Sequence, residues 1–352
     1  MKRNSISDRK EVAGRTIKAF DTLYKRYQMR ECFYKDDECS SEIIEAHSIQ
    51  RNRVLKNISE DSHIMMFQMT TSDNEPDWKP EKKGLNKATV FTGFCKHHDQ
   101  EIFKPIDLYD YEEGNDQQEF LYAYKALAKE HNVKLSHTKA HENTLEWTQK
   151  NNYKELKKHF FIKKNEDIEN LLIQIPRFKF ILKELKAASR CLNKTRDNVN
   201  NNLRNERYNN IITRIIDLSN KYPIACSSCI SLEKDFDGNM INDLTKPNID
   251  LKYMFLTIFP QHNHTYILLS FFRKHRGFFR FIDTQILDKH EDEQKKLITN
   301  LLLKHVENLA ISPFLWNSMT KENKDFICKV FSNNIDSQQR NLKEIADLNL
   351  FV

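Results

Sequence analysis

Residues 93–103 read GFCKHHDQEIF, and this short stretch decides how the first third of the chain folds. It holds Cys95 and His98, and two residues between ligands is the spacing of a zinc knuckle or of the first turn of a helix. Upstream, Cys32 and Cys39 flank the six residues FYKDDE. Two such pairs, one near each end of a compact segment, predict a treble-clef arrangement in which all four side chains bind one structural Zn²⁺ ion.

The neighbouring His97 is the competing fourth ligand, but its spacing of one residue from Cys95 suits the site less well. The chain has seven cysteines, an odd number, and no apolar run follows the charged N-terminus as in a secretory signal. We therefore expect reduced thiols and a cytoplasmic protein. Cys226 and Cys229 form another C-x-x-C pair, but they lie within a predicted strand, where they face opposite ways, and no partner pair is near in sequence.

Two further blocks surround a third histidine and the second ligand pair. Residues 45–50 read EAHSIQ, and residues 84–106 read GLNKATVFTGFCKHHDQEIFKPI. Together with the two ligand pairs, these blocks make residues 30–105 resemble the HNH, or ββα-metal, endonucleases in their zinc-stabilised treble-clef form. The same blocks resemble a group of bacterial proteins from mobile-element and phage-defence contexts.

The resemblance implies a catalytic histidine at the end of the first strand of a hairpin, and that position matches His47. In the family this side chain is the general base that activates water against a phosphodiester, and a neutral imidazole accepts a proton at pH 7. The family also binds one divalent cation, usually Mg²⁺, which stabilises the leaving 3′ oxygen. One family ligand for this ion matches Asp99, directly after His98. The other, an acidic residue immediately before the histidine, is Ala46 here, and Glu45, on the same strand face as His47, is the candidate substitute.

The resemblance therefore implies a metal-dependent endonuclease that hydrolyses phosphodiester bonds of nucleic acid, DNA rather than RNA, in bacterial anti-phage defence. Its partner would be nucleic acid, with a defence-system protein or a second copy of the chain as further partners. The alternative is a non-catalytic zinc module that binds nucleic acid or a protein, in which His47 is only a structural side chain.

The charge pattern agrees with a nucleic-acid partner. The chain has 56 Lys and Arg against 50 Asp and Glu, a net charge of +6. Basic residues concentrate in residues 9–30 and in residues 273–280, as on surfaces that bind a phosphate backbone; a solvated helix face and a charged turn are the alternatives. Only six glycines and no G-x-G-x-x-G or P-loop argue against Rossmann and P-loop enzymes. The longest apolar run, residues 253–259, is too short to cross a membrane.

The hydrophobic periodicity predicts an α+β fold of two domains, residues 1–110 and 111–352. The first domain joins an N-terminal helix over residues 8–29 to the zinc module. The second is predicted to be helical over 111–222, to form mainly antiparallel strands over 223–286, and to be helical again over 287–352. Four local predictions complete this scheme: a polar, proline-containing loop over 72–84, a helix over 211–218, an Asp237-Gly238 turn that joins two strands, and a strand over 278–282.

Overall fold

The computed structural model describes residues 6–72, 75–162, 165–244, 246, 250–333 and 348–352. Helix accounts for 50% of the described residues and antiparallel sheet for 21%, so the fold class is α+β, as the sequence predicts. The strands are β1 (Ile43–His47), β2 (His63–Ser72), β3 (Glu75–Gly84), β4 (Val90–Cys95), β5 (Ile211–Leu218), β6 (Ile224–Ile230), β7 (Met254–Gln261), β8 (His264–Phe272) and β9 (Leu309–Ile311).

The helices begin with α1, which spans Ile6–Arg26 and overlaps the predicted N-terminal helix. The others are α2 (Lys56–Ile58), α3 (Lys96–Ile102), α4 (Lys104–Asp107), α5 (Asp116–Gln149), α6 (Tyr153–His159), α7 (Asn165–Ile173), α8 (Ile175–Arg204), α9 (Glu291–His305), α10 (Pro313–Ser318) and α11 (Lys321–Asn333). Short π-helical turns occur at Arg51–Leu55 and Ile282–Leu287, and 3₁₀ turns at Tyr208–Asn210 and Arg273–His275.

Two antiparallel sheets organise the strands. The small sheet pairs β1 with β4, and the large sheet has seven strands in the order β3-β2-β9-β6-β7-β8-β5. The β2–β3 hairpin lies between β1 and β4 in sequence, but β2 joins the large sheet by pairing with β9, with Met65 opposite Ile311. The predicted first domain therefore contributes two strands to the sheet of the predicted second domain.

Each face of the large sheet buries a separate core, because successive strand residues point to opposite faces. On one face, Leu256 and Ile258 pack with Leu301 and Leu302 of α9, in a core that also includes residues of α10 and α11. On the other face, Phe255 belongs to a core that contains α5, α8 and the zinc-ligand segment. The strands of the central sheet are therefore apolar on both sides, as expected for a sheet between two helical layers.

The predicted loop over residues 72–84 is wrong for its described part, because Ser72 ends β2 and Glu75–Gly84 form β3, whereas residues 73 and 74 lie outside the described residues. Its prolines, Pro76 and Pro80, suggest a loop since proline lacks the N–H that a strand interior donates. However, β3 is the edge strand of the large sheet, with β2 as its neighbour. Proline is tolerated on an edge strand, where one row of backbone donors has no strand to pair with.

The predicted helix over residues 211–218 is also wrong, because these residues form strand β5 and pair with β8 along their whole length. The segment is rich in β-branched side chains, including Ile211, Ile212 and Thr213. These residues favour a pleated strand over a helix. The apolar spacing alone indicates a helix here, and the β-branched composition is the better signal.

Two other local predictions also fail. The Asp237-Gly238 turn is present, and Gly238 has a φ of +90°. However, the segments on either side of the turn are not strands, because they pair only through one isolated β-bridge between Lys234 and Met240. The Asp235 carboxylate closes the turn by accepting hydrogen bonds from the backbone N–H groups of residues 237 and 239. Residues 278–282 form turns that lead into a π-helical turn instead of a strand.

The β1–β4 pair contains an irregularity in which Gly93 has no room for a side chain. Ile44 lies opposite Phe94, whereas Ala46 lies opposite Phe91, so β4 holds one extra residue between these pairs. A Cβ atom added to Gly93 would lie 2.4 Å from Cε2 of the Phe91 ring. That ring is 1% exposed and is held in the core, so it cannot move aside freely.

We predict that Gly93→Ala destabilises the protein by about 1–3 kcal/mol, as overpacking of a filled core does. The measurement is the free energy of unfolding from urea titration. Gly277→Ala is the matched control, because a Cβ atom there meets nothing within 4 Å, and its stability should stay within about 0.5 kcal/mol of the wild type. Equal stability of the two variants would contradict the crowding at Gly93.

Candidate functional site

The structure brings the four predicted zinc ligands together. The ligand atoms of Cys32, Cys39, Cys95 and His98 all lie within 4.8 Å of one another. Nδ1 of His98 lies 3.4 Å from the sulfur of Cys32, 3.5 Å from that of Cys39 and 3.3 Å from that of Cys95. For Zn–S bonds of about 2.3 Å and a Zn–N bond of about 2.0–2.1 Å, a regular tetrahedron requires an S···N separation of about 3.6 Å. The three sulfurs and one imidazole nitrogen therefore fit a tetrahedral zinc ion.

Local structure explains how the second ligand pair forms. Strand β4 ends at Cys95, whose extended backbone places it at the N-cap of α3, and its sulfur accepts a hydrogen bond from the backbone N–H of His98. His98 then lies in the first turn of the helix and is 3% exposed. Because Cys95 ends the strand and His98 lies in the first turn of the helix, both side chains lie on the same side of the chain, although two residues separate them.

The two more deeply placed thiols differ in their acidity. Burial raises the pKa of the Cys32 thiol to about 12, although the backbone N–H groups of Tyr34, Lys35 and Cys95 oppose this by donating to its sulfur. Burial acts in the same direction on Cys95, but hydrogen bonds from His98 and Ser40 outweigh it and lower the pKa of that thiol. A metal ion would supply the positive charge that lets both bind as thiolates, with release of protons.

The second nitrogen of His98 faces a carboxylate. Nε2 lies 3.2 Å from Oδ1 of Asp36, which belongs to the FYKDDE spacer between the first two ligands, in a charged contact that lies outside hydrogen-bond geometry. A carboxylate behind a histidine fixes its ring orientation and makes the other nitrogen a better ligand. His97 lies outside the four-residue cluster, and its Nε2 lies 3.6 Å from Glu38.

His47 is the last residue of β1, as the resemblance implies. Its Nδ1 lies 3.0 Å from the backbone oxygen of Ala88, so Nδ1 carries the proton and donates, and Nε2 is left as an acceptor. Burial lowers the pKa of His47, and the charges of Arg51 and Lys125 lower it further, against the raising effects of the Ala88 hydrogen bond and of Asp107. The imidazole is therefore neutral at pH 7.

Asp99 lies in the first turn of α3, beside the zinc cluster. Its Oδ1 is buried without a hydrogen-bond partner, and burial raises its pKa, with Lys125 opposing and Asp107 adding to this effect. Nζ of Lys125 lies 3.3 Å from both carboxylate oxygens of Asp107. The charges of Lys125 and Asp107 thus act on both His47 and Asp99.

Glu45 lies on the exposed side of β1, with its carboxylate 3.8 Å from Nζ of Lys87. Among the residues that the structure describes, the zinc cluster and the Glu38, His97 and His98 group are the sets of three or more His, Cys, Asp or Glu side chains close enough to bind a metal ion. Glu45, His47 and Asp99 do not form such a set. The predicted Mg²⁺ ligands are therefore not assembled into a cation site.

Sequence reasoning missed Asp36, Asp107 and Lys125. Asp36 had a local signal, since it lies between two predicted ligands. Lys125 lies beside Tyr124 in the region 111–222 that is predicted to be helical. It is 4% exposed, and a lysine among buried apolar residues points to a buried ion pair. Asp107 had no signal, because only the tertiary fold brings α4 against α5.

The basic residues of α1 are partly engaged within the protein. Arg15 forms a two-pronged ion pair with Asp167, with N···O distances of 2.9 and 2.8 Å, and Lys25 pairs with Asp21 at 2.7 Å. Arg51, four residues after the strand end at His47, is exposed.

Comparisons of the chain with protein-family models, with curated proteins and with solved structures find no match. In the part of the chain that the structure describes, no helix combines the length and the apolar character needed to cross a membrane.

We predict that Asp36→Asn lowers the zinc affinity about 10- to 100-fold, because it weakens the carboxylate behind His98. Competition with a chromophoric chelator measures this affinity. Asp37→Asn is the matched control, since Asp37 is the exposed neighbour in the same spacer, and it should leave the affinity unchanged. Cys95→Ser, which removes a ligand, should release the metal and make residues 30–105 sensitive to protease. Wild-type zinc affinity in Asp36→Asn would rule out the supporting role of Asp36.

Proposed function

We propose that this protein hydrolyses phosphodiester bonds of nucleic acid, DNA in the first place, at a zinc-stabilised site of the ββα-metal type. The observation that supports this most strongly is the state of His47. His47 ends strand β1, which pairs with β4, and β4 leads directly into α3. The hydrogen bond from Nδ1 of His47 to the backbone oxygen of Ala88 leaves Nε2 ready to accept a proton. The resemblance requires two paired strands followed by a helix, with a neutral histidine at the end of the first strand.

In this mechanism His47 is the general base. Water bound at Nε2 loses a proton to the imidazole as its oxygen bonds to phosphorus, and the bond from phosphorus to the leaving 3′ oxygen breaks, with this oxygen taking up a proton from solvent. The Ala88 oxygen holds the Nδ1 proton and stabilises the imidazolium that forms. The lowered pKa keeps the base neutral before the reaction. The zinc cluster supplies four protein ligands, so its metal has no open position for water, and its role is to fix the β4–α3 junction.

The family's divalent cation does not fit the residues found here. Ala46 replaces the acidic ligand, Glu45 lies beside Lys87, and no third ligand joins Asp99 among the described residues. We therefore assign no step to Mg²⁺. The phage-defence context, a defence-protein partner and a homo-oligomer follow from the resemblance alone and stay predictions.

The second candidate is a zinc module that binds nucleic acid or a protein without catalysis. The same misfit favours it, because a ββα-metal site without its cation could retain only the binding surface. The two candidates differ in one measurable property, which is turnover that depends on His47.

We predict that His47→Ala lowers the rate of plasmid cleavage about 100- to 10,000-fold, the usual contribution of a general base. The assay is run with Mg²⁺, with Mn²⁺ and without added metal, so that the comparison of the variants does not depend on which cation is present. His290→Ala, at an exposed histidine, is the control and should cleave normally. Zinc content should be equal in all three proteins. Binding of DNA without nicking by the wild type would favour the second candidate, and equal nicking by wild type and His47→Ala would indicate a contaminant.

The pH profile follows from the lowered pKa of His47. Only the neutral imidazole accepts a proton, and this form persists below the usual histidine pKa of about 6.5. The midpoint of the fall in cleavage rate with falling pH should therefore lie below 6.5. A midpoint above 6.5 would contradict the assignment of His47 as the base.

We predict that Arg51→Gln weakens DNA binding and reduces the slope of log K against log salt concentration by about one, the loss of one phosphate contact. Fluorescence anisotropy at several salt concentrations measures both quantities. Lys25→Gln is the control, because Lys25 lies on α1 and already pairs with Asp21. If Lys25→Gln alone changed the slope, the binding surface would be α1, as the sequence pattern suggests, and not the strand end at His47.

A further inference from the structure

A second group of basic residues, the basic turn, lies directly after β8. It spans residues 273–280, which read RKHRGFFR and include no acidic residue. His275 and Phe279 are 7% and 1% exposed, and the Phe279 ring stacks on that of Phe271 with the ring centres 5.0 Å apart. These buried side chains fix the basic turn to the sheet. Its four cationic side chains are exposed instead: Arg273, Lys274, Arg276 and Arg280.

The positive charge of the basic turn is not neutralised by its surroundings. Nε of Arg273 donates a hydrogen bond to a backbone oxygen, which carries no net charge. Lys274 lies 3.4 Å from the Asp250 carboxylate, but both side chains are more than half exposed, so this pair is weak. Among the described residues, neither Arg276 nor Arg280 forms an ion pair with a carboxylate. The basic turn therefore has an excess of positive charge, which suits an anionic partner.

An exposed aromatic ring lies among these cations. Phe278 is 47% exposed, although phenylalanine side chains are usually buried. Nζ of Lys252 lies 4.4 Å from the centre of the Phe278 ring, so the ring packs against one more cation. Gly277, directly before it, borders open space, since a Cβ atom there would meet nothing within 4 Å. A flat ligand can therefore reach the Phe278 ring from solvent.

Positive charge and an exposed ring together fit a single strand of nucleic acid. The phosphates of such a strand bind cations, and its unpaired bases stack on aromatic side chains. A duplex offers phosphates, but its bases are already stacked on one another. An acidic peptide offers carboxylates without a base. The combination found on the basic turn therefore favours a single strand over these two partners.

We propose that the basic turn binds single-stranded nucleic acid, DNA or RNA, with Arg276 and Arg280 on phosphates and the Phe278 ring stacked on a base. This surface goes beyond the proposed function, because it is separate from the strand end at His47. The residue after His47 accepts a hydrogen bond from Asn308, just before β9, whereas the basic turn follows β8. Strands β6 and β7 lie between β9 and β8 in the large sheet. The basic turn would hold a strand whether or not the protein cleaves it.

The test is the salt dependence of binding to an oligothymidylate of about 20 nucleotides, measured by fluorescence anisotropy. Every protein is full-length and carries His47→Ala, so that the probe stays intact. Arg276→Gln combined with Arg280→Gln should weaken binding and reduce the slope of log K against log salt concentration by about 1.4, the loss of two phosphate contacts to a single strand. Lys157→Gln combined with Lys158→Gln is the control, because it removes the same charge from exposed lysines of α6, and it should leave the slope unchanged.

Phe278→Ala tests the stacked base. It should weaken binding at least about fivefold without changing the slope, because it removes an aromatic surface and no charge. An oligomer of the same length without bases should bind equally to Phe278→Ala and to the His47→Ala parent. Phe314→Ala is the control, since Phe314 is 71% exposed on α10, and it should bind oligothymidylate as the parent does.

An unchanged slope in the Arg276 and Arg280 double variant would overturn the proposal, and so would parental affinity in Phe278→Ala. Phe278→Ala that weakens the binding of a duplex or of polyglutamate as much as that of oligothymidylate would also overturn it, since the ring would then not stack on a base. Comparison with oligouridylate identifies the strand as RNA or DNA and leaves this conclusion unchanged. Because the readout is binding by a protein that lacks His47, failure of the cleavage assay leaves the result intact, and failure here leaves the proposed cleavage intact.

Discussion

The constraint on which the rest of the structure depends is the burial of α5. This helix has 34 residues, about 51 Å of length, and packs against the large sheet, β4, α1 and α8. A helix covered on so many sides must satisfy every polar side chain that it buries, because an unpaired buried polar group costs roughly 1–3 kcal/mol. Buried threonines such as Thr144 and Thr148 bond to the backbone of α5 itself, whereas other buried polar side chains bond to neighbouring segments and so determine where these lie.

The zinc module is fixed to α5 by such contacts. The amide nitrogen of Asn132 donates to the backbone oxygens of Met29, at 2.8 Å, and of Thr92, at 3.1 Å. Tyr124 donates to Asn200 of α8, which in turn donates to the backbone oxygen of Phe33. The approach to the first ligand and the strand before the second pair are thus both held from the same helix. A metal ion bound by the four ligands would hold these segments together in addition to their contacts with α5.

Sequence reasoning succeeded where the information is local. The spacing of Cys95 and His98 depends on one strand-to-helix junction, and α1, α5 and α8 have clear helical patterns, so these features were predictable. It failed where partners come from far along the chain. Pro80 is compatible with a strand only because β3 is an edge, and Ile211 lies in a strand because β8 pairs with it. The ion pair of Lys125 with Asp107 needs two helices to meet, which no spacing rule can indicate.

The link between the hairpin and the large sheet has a consequence for how the protein matures on the ribosome. Asn308 donates a hydrogen bond to the hydroxyl of Ser48, which directly follows His47, and β2 pairs with β9 three residues later in the chain. Residues near the C-terminal end thus complete the surroundings of a histidine near the N-terminal end. The neighbourhood of His47 is finished only after residue 311 has left the exit tunnel. A nascent chain would accordingly lack these contacts beside His47 until residues 308–311 have been made.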